Sequence, residues 1–223
     1  MDADVPADPT TLERAWPLFG LSLRSEHLLL RLPTEHDMPA FIDLARAGIH
    51  PPDEMPFGMA WSIVPSPAFE RGFLQHHWGL RATWTPEAWT LNLMVELDGV
   101  PIGTQSLAAK DFAIHRTVDT GSWLGQAWQG KGFGKEMRSA VLSLSFEGLG
   151  ARVAESEAFL DNPASAGVSR ALGYVENGRG SLAPEGVARE TRRFRMTSDD
   201  WRSRPRPPVE IEGLGACREL FGA

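Results

Sequence analysis

Gln129-Gly130-Lys131-Gly132-Phe133-Gly134-Lys135 is the stretch that most restricts what this chain can fold into. It follows a strand-like run, Thr117 to Leu124, and opens a helix-like run ending near Glu147. Glycines at alternate positions leave backbone N–H groups uncovered by side chains. A helix start adds further unpaired donors and the positive end of the helix dipole. Strand, glycine turn and helix N-terminus in that order make a seat for phosphate oxygens. Lys131 and Lys135 add opposite charge.

The rest of the chain reads as one soluble domain with a short arm at each end: 1–24 as an N-terminal arm, 25–197 as the domain, 198–223 as a C-terminal extension. Pro6, Pro9 and Pro17 with Trp16 and Phe19 suggest an arm that docks by its aromatics. Strands are expected over Leu28–Leu32, Thr90–Leu97, Pro101–Lys110, Thr117–Leu124, Ala151–Ala158, Tyr174–Gly178 and Ala188–Met196, from runs of apolar and β-branched residues between turn signals. Asp98-Gly99 is a hairpin turn signal. Helices are expected over Glu35–Ala47, capped by Thr34; from Ser66-Pro67 to about Trp84; after the glycine turn; and from Asn162-Pro163 to Gly173. Leu214 to Phe221 is expected to pack back on the domain or on a second subunit, so a homo-oligomer is one expectation.

No apolar run approaches the ~20 residues that span a bilayer, and Met1-Asp2-Ala3-Asp4 lacks a signal-peptide pattern. Cys217 is the only cysteine, so the cytoplasm is the expected compartment. The formal net charge is −7, of which residues 1–60, with ten acidic and four basic groups, supply −6. That acidity argues against nucleic acid as a partner and suits a cationic acceptor such as an amine. A solvated acidic surface is the plainer reading of the same residues. No membrane partner is expected.

Which phosphate ligand suits the turn is decided by its neighbours. Gly125 to Lys131 spells G-x-x-x-x-G-K, but Gly132 stands where a magnesium-nucleotide loop needs Ser or Thr. A dinucleotide fingerprint would place its third glycine one residue later and nearer the start of a fold. A glycine turn without a ligand remains an alternative. Coenzyme A fits, because its pyrophosphate suits the turn and no metal is required. His76-His77 does not change this, since adjacent helical residues point about 100° apart.

Trp123-Leu124-Gly125 followed by Gln129-Gly130-Lys131-Gly132-Phe133-Gly134 resembles the Q/R-x-x-G-x-G/A signature of the GNAT acyltransferase superfamily. Asn162-Pro163-Ala164-Ser165 and Leu172-Gly173-Tyr174 resemble its N-x-x-S…G-[FY] stretch. The closer likeness is to the branch that acetylates the N-termini of ribosomal proteins, and it covers about residues 25 to 197. The resemblance implies an α/β (α+β) fold: a mixed, mostly antiparallel twisted sheet of six to seven strands flanked by four main helices. It implies an acyl-CoA-dependent N-acyltransferase acting on a small-molecule or protein N-terminal amine. A CoA-binding sensor without catalysis is the alternative.

By the same resemblance, Gly130, Lys131, Gly132, Phe133, Gly134 and Lys135 would hold the pyrophosphate, with Gln129 at the start of the turn. Trp123 and Leu124 would pair with the pantetheine amides, a ligand acting as an added strand. Asn162 and Ser165 would touch the pantetheine or phosphate arm, although Asn162 is also a good helix cap. The tyrosine acid of many relatives is replaced by Ser169, whose hydroxyl would donate a hydrogen bond to the leaving sulfur, and the only tyrosine, Tyr174, lies elsewhere. Asp119 takes the slot of the branch's glutamate base, with Asp111, Glu155 and Glu157 as weaker candidates. Phe57, Met59 and Trp61 would line the acceptor pocket. An arginine, or a polar group such as Gln105, could receive a succinyl carboxylate in place of an acetyl group.

Overall fold

The computed structural model of the chain describes residues 11–223; Pro6 and Pro9 lie outside the described residues. Among the described residues nine strands form one sheet: β1 (Ser22–Arg24), β2 (Leu28–Arg31), β3 (Ala88–Leu97), β4 (Val100–Lys110), β5 (Thr117–Leu124), β6 (Val153–Phe159), β7 (Val175–Leu182), β8 (Arg189–Thr197) and β9 (Glu210–Glu212). Their spatial order is β7-β8-β6-β5-β4-β3-β2-β1-β9. Every neighbouring pair is antiparallel except β5 with β6. Four main helices cover the sheet: α1 (Met38–Arg46), α2 (Ala68–Ala82), α3 (Phe133–Ser143) and α4 (Pro163–Leu172).

The sheet has two strands more than the upper expectation. β1 and β9 are three residues each, too short to show an alternating pattern in sequence. They pair with each other at one edge, Leu23 opposite Ile211. The segment expected to pack back does so on this same molecule, where Phe221 is fully buried and its ring lies 4.9 Å from that of Trp89.

Helix α1 begins at Met38, three residues later than expected, and Thr34 does not cap it. Arg31 grips the Asp37 carboxylate with two bonds of 2.8 Å, and Asp37 accepts from both the N–H and the hydroxyl of Thr34. That turn occupies the residues expected to be the first helical turn. Likewise Ser66 does not cap α2; its hydroxyl donates to Glu70 instead (2.7 Å). The β3–β4 hairpin uses the expected turn, with Asp98 and Gly99 both at positive φ, 51° and 78°.

Two apolar layers result. α3 and α4 cover one face of the sheet with Leu91, Leu107, Val118, Met137, Ala140 and Val141. α1 and α2 cover part of the other, where Met38, Phe41, Phe69, Phe73 and Met94 are buried with Trp123 packed against them.

His77 sits in this second layer, its ring 4.9 Å from Phe73 and 5.4 Å from Phe41. Burial, with lesser contributions from His76 and Arg81, pushes its pKa down to about 3. Between its ordinary value and that one, the unfolded chain binds a proton that the folded chain does not. Stability is therefore whole above about pH 6.5 and falls as pH drops, by about 1.4 kcal/mol per pH unit for this one group. His77→Leu should remove that slope in denaturant melts at roughly pH 6 and pH 4. An unchanged slope would mean His77 is not buried neutral.

Candidate active site

The site begins where β5 and β6 part. Their parallel pairing runs from Thr117–Val153 to Thr120–Ser156 and stops, while β4 stays paired with β5 as far as Leu124. Among the described residues, Ser122, Trp123 and Leu124 therefore have no strand on their β6 side. Beyond Leu124 the chain passes through the glycine turn into α3. Across the gap stands the N-terminus of α4. Together these elements enclose a cleft of about 1080 Å³.

The turn is built by positive-φ backbone: Gly130 at 73° and Gly132 at 95°. The N–H groups of Gly130, Lys131 and Gly132 have no backbone acceptor among the described residues. Gln129 braces the turn from below, its Nε2 donating to the carbonyls of Ile49 (2.6 Å) and Leu124 (2.8 Å). Gln129, Gly130, Gly132, Gly134 and Lys135 line the cleft. The side chains of Lys131 and Phe133 turn instead toward Trp128, the ammonium lying 5.1 Å from its ring centroid. Opposite, Asn162 caps α4 by accepting from the Ser165 N–H (3.0 Å), and both residues line the cleft.

The two faces of β5 do different work. Thr120, Ser122 and Leu124 face α3 and α4, whereas Asp119, Gly121 and Trp123 share the other face. On that second face Trp123 stacks 5.4 Å from Phe41. Asp119 lies opposite Glu155, with Glu157 two residues further along β6. Asp119 is exposed, paired with Ala108 on one side and Glu155 on the other, and is not among the residues lining the cleft, yet the surrounding protein strips water from its carboxyl. This pushes its pKa up, and the charges of Glu155 and Glu157 add to the rise. A carboxylate with a raised pKa holds a proton more readily than an ordinary aspartate, which suits a general base. Asp111 lies away from this row, at the end of β4 in a left-handed conformation.

Ser169 is fully buried inside α4 and bonds the Ser165 carbonyl (3.3 Å). Its hydroxyl also accepts from Arg138 (3.2 Å). Tyr174 is buried too, its hydroxyl 3.4 Å from that of Thr120, so the one tyrosine belongs to the core. Of the expected acceptor residues, Phe57 lines the cleft and Trp61 stands behind it, 5.2 Å away ring to ring. Met59 projects into solvent, 70% exposed. Gln105 is fully buried and spends its amide N–H groups on the carbonyls of Ser106 and Gly121 (3.0 and 2.9 Å).

Among the cleft residues that sequence reasoning missed are two arginines. Arg189 fastens the 50–58 loop across the mouth. It donates to the Met55 carbonyl (2.6 Å) and to both oxygens of Asp161 (2.8 and 2.7 Å), lying 4.2 Å from the Phe159 ring centroid. Arg138 enters the cleft from α3. Its signal was faint: an arginine one helical turn after Gly134, on the stripe continued by Val141 and Leu142.

The family model for the acetyltransferase (GNAT) domain matches residues 27–175. The chain belongs to the GNAT acetyltransferase family. Its fold is similar to that of RimJ from Mycobacterium smegmatis in complex with CoA-disulfide, with TM-score 0.65 and 18% identity over 88% of this chain and 91% of that one. It is also similar to RimL, a ribosomal L7/L12 alpha-N-protein acetyltransferase in complex with coenzyme A, with TM-score 0.59 and 18% identity over 79% and 97%. A spermidine N-acetyltransferase chimera of Vibrio cholerae SpeG and hSSAT matches with TM-score 0.62 and 19% identity over 80% and 100%. The chain thus resembles the ribosomal-protein branch in fold, and an acyl-CoA-dependent N-acetyltransferase is the activity of its family. Among the described residues no helix is long and apolar enough to cross a membrane.

Proposed function

We propose that this protein transfers an acyl group, acetyl or succinyl, from coenzyme A to a primary amine by direct attack in a ternary complex. The observation that carries the reading is one continuous cleft. It joins the glycine turn, the unpaired edge of β5 and the N-terminus of α4. The turn's N–H groups and Lys135 would take the pyrophosphate. The free edge of Ser122–Leu124 would take the pantetheine amides as a strand takes its neighbour.

The amine then approaches from the Trp123 face, where Asp119 lies. It gives up a proton to Asp119, directly or through water, and its nitrogen attacks the thioester carbon. A C–N bond forms, the C–S bond breaks, and the electron pair leaves on sulfur. An α-amine, with pKa ~7.7–8.0, needs only a weak base. Most of the acceleration comes from holding both substrates in place.

Calorimetric titration with acetyl-CoA and succinyl-CoA should give a one-to-one binding curve. No heat at millimolar concentration would overturn the reading. Thiol release with spermidine and N-terminal peptides then identifies acyl and acceptor classes. Gly132→Val should weaken acyl-CoA binding roughly tenfold or more. The φ of 95° costs a β-branched residue on the order of 1–2 kcal/mol, and the new methyls fill the phosphate seat. Unchanged affinity would move the phosphate elsewhere.

A CoA-binding module without turnover is favoured by the burial of Ser169, which leaves no obvious proton donor for sulfur. It predicts the same binding curve with no thiol release for any amine.

A further inference from the structure

Arg138 is 3% exposed and belongs to no ion pair among the described residues. A guanidinium stays protonated in proteins, so this is a positive charge in the core without a counter-charge. Among the described residues its hydrogen-bond partners are neutral hydroxyls. Nη1 donates to Ser156 (3.0 Å) and Ser169 (3.2 Å), and Nη2 to Ser122 (3.0 Å). Nε has no partner among the described residues. Taking a charge out of water without pairing it is costly, and a strongly perturbed charge in a cleft marks a candidate functional site.

The three serines locate that site. Ser122 is on the strand that loses its neighbour, Ser156 is the last β6 residue paired to β5, and Ser169 is on the helix across the gap. Arg138 therefore sits at the apex of the opening between β5 and β6, and it lines the cleft. Tyr174 lies close enough to act on it electrostatically, and burial pushes that hydroxyl's pKa up, so the tyrosine stays neutral there. Gln105, opposite Ser122 in register, leaves its buried Oε1 without a partner on the same side of the sheet.

We propose that Arg138 is a catalytic residue whose buried charge stabilises the coenzyme A thiolate as the C–S bond breaks. The inference rests on the acyltransferase reading above. It answers the missing tyrosine: the thiolate leaves as an anion beside a fixed cation, and solvent protonates it after release. Ser169, held by the same guanidinium, keeps that cation in place and donates no proton.

The test uses coenzyme A alone and needs no acceptor. The thiol is titrated by its thiolate absorbance, free and bound to the intact protein. Binding should raise its ionisation constant roughly tenfold or more, as a neighbouring guanidinium does for other acids. Arg138→Gln should abolish the rise and Arg138→Lys should keep most of it, with thermal melts reporting on folding. In turnover, Arg138→Gln should lower kcat more than it raises KM. Absence of CoA binding would sink the functional reading itself. Binding with an unshifted thiol in the wild-type protein would sink only the role of Arg138. So would a loss confined to succinyl-CoA affinity, which would make Arg138 the partner of an acyl carboxylate.

Discussion

Replacing Asp119 by Asn should lower kcat/KM by roughly 10²–10⁴-fold and leave coenzyme A affinity unchanged. The amide keeps the shape and loses the base. The pH profile separates this from a structural effect. The carboxyl's pKa is raised, chiefly by desolvation and then by Glu155 and Glu157. In the wild-type enzyme the rate should therefore fall as pH drops through a value above that of an ordinary aspartate. In Asp119→Asn that limb should vanish, leaving only the limb set by the amine acceptor.

Stability should move the other way. A raised carboxyl pKa means that the folded state resists ionisation, so at neutral pH the charge works against folding. Removing it should leave the melting temperature equal or higher. Loss of rate without loss of stability is the expected pair of results. A variant with the wild-type rate and both pH limbs would transfer the base role to Glu155 or Glu157, its neighbours on the same face.

Phe41→Ala should cost about 3–5 kcal/mol of stability, the usual range for emptying a buried aromatic position. Phe41 is fully buried on α1. Its ring lies 5.2 Å from Phe73, 5.4 Å from His77 and 5.4 Å from Trp123. The first two tie α1 to α2, and the third ties both helices to β5 at the opening. Urea melts should show a lower midpoint at unchanged slope. Because Trp123 would lose its support, the KM for the amine should rise more than the KM for acyl-CoA. A loss below about 1 kcal/mol would show that the layer closes over the gap, at odds with the partial relaxation expected of cores.

Much of the fold is legible in the chain because its signals are local. Alternating side chains mark β5 over Thr117–Leu124, where expected and observed bounds coincide. Asn162-Pro163 starts α4 and Gly173, at φ 97°, stops it. A cap, a proline and a left-handed glycine each act within one turn of helix, so sequence order alone displays them. Short edge strands behave differently. Ser22–Arg24 and Glu210–Glu212 become strands because each meets the other across nearly the whole chain length, and neither carries a pattern of its own. The start of α1 moved for a related reason. Arg31 takes hold of Asp37, a contact that helix propensity at Glu35 and His36 does not register.

The same division runs through the site. Sequence by itself determined the glycine turn and the helix start behind it, since both are written in consecutive residues. Through Gly132 it also argued against a magnesium-nucleotide loop at that turn. Tertiary structure decided the rest. The row of Asp119, Glu155 and Glu157 exists because β5 and β6 pair in parallel. The meeting of Arg138 with Ser122, Ser156 and Ser169 spans 16, 18 and 31 residues of chain. A charge is read in sequence as surface by default, because water is the cheapest place for it. Only packing of α3 and α4 against the parted strands shows that this one was taken out of water, and where it points.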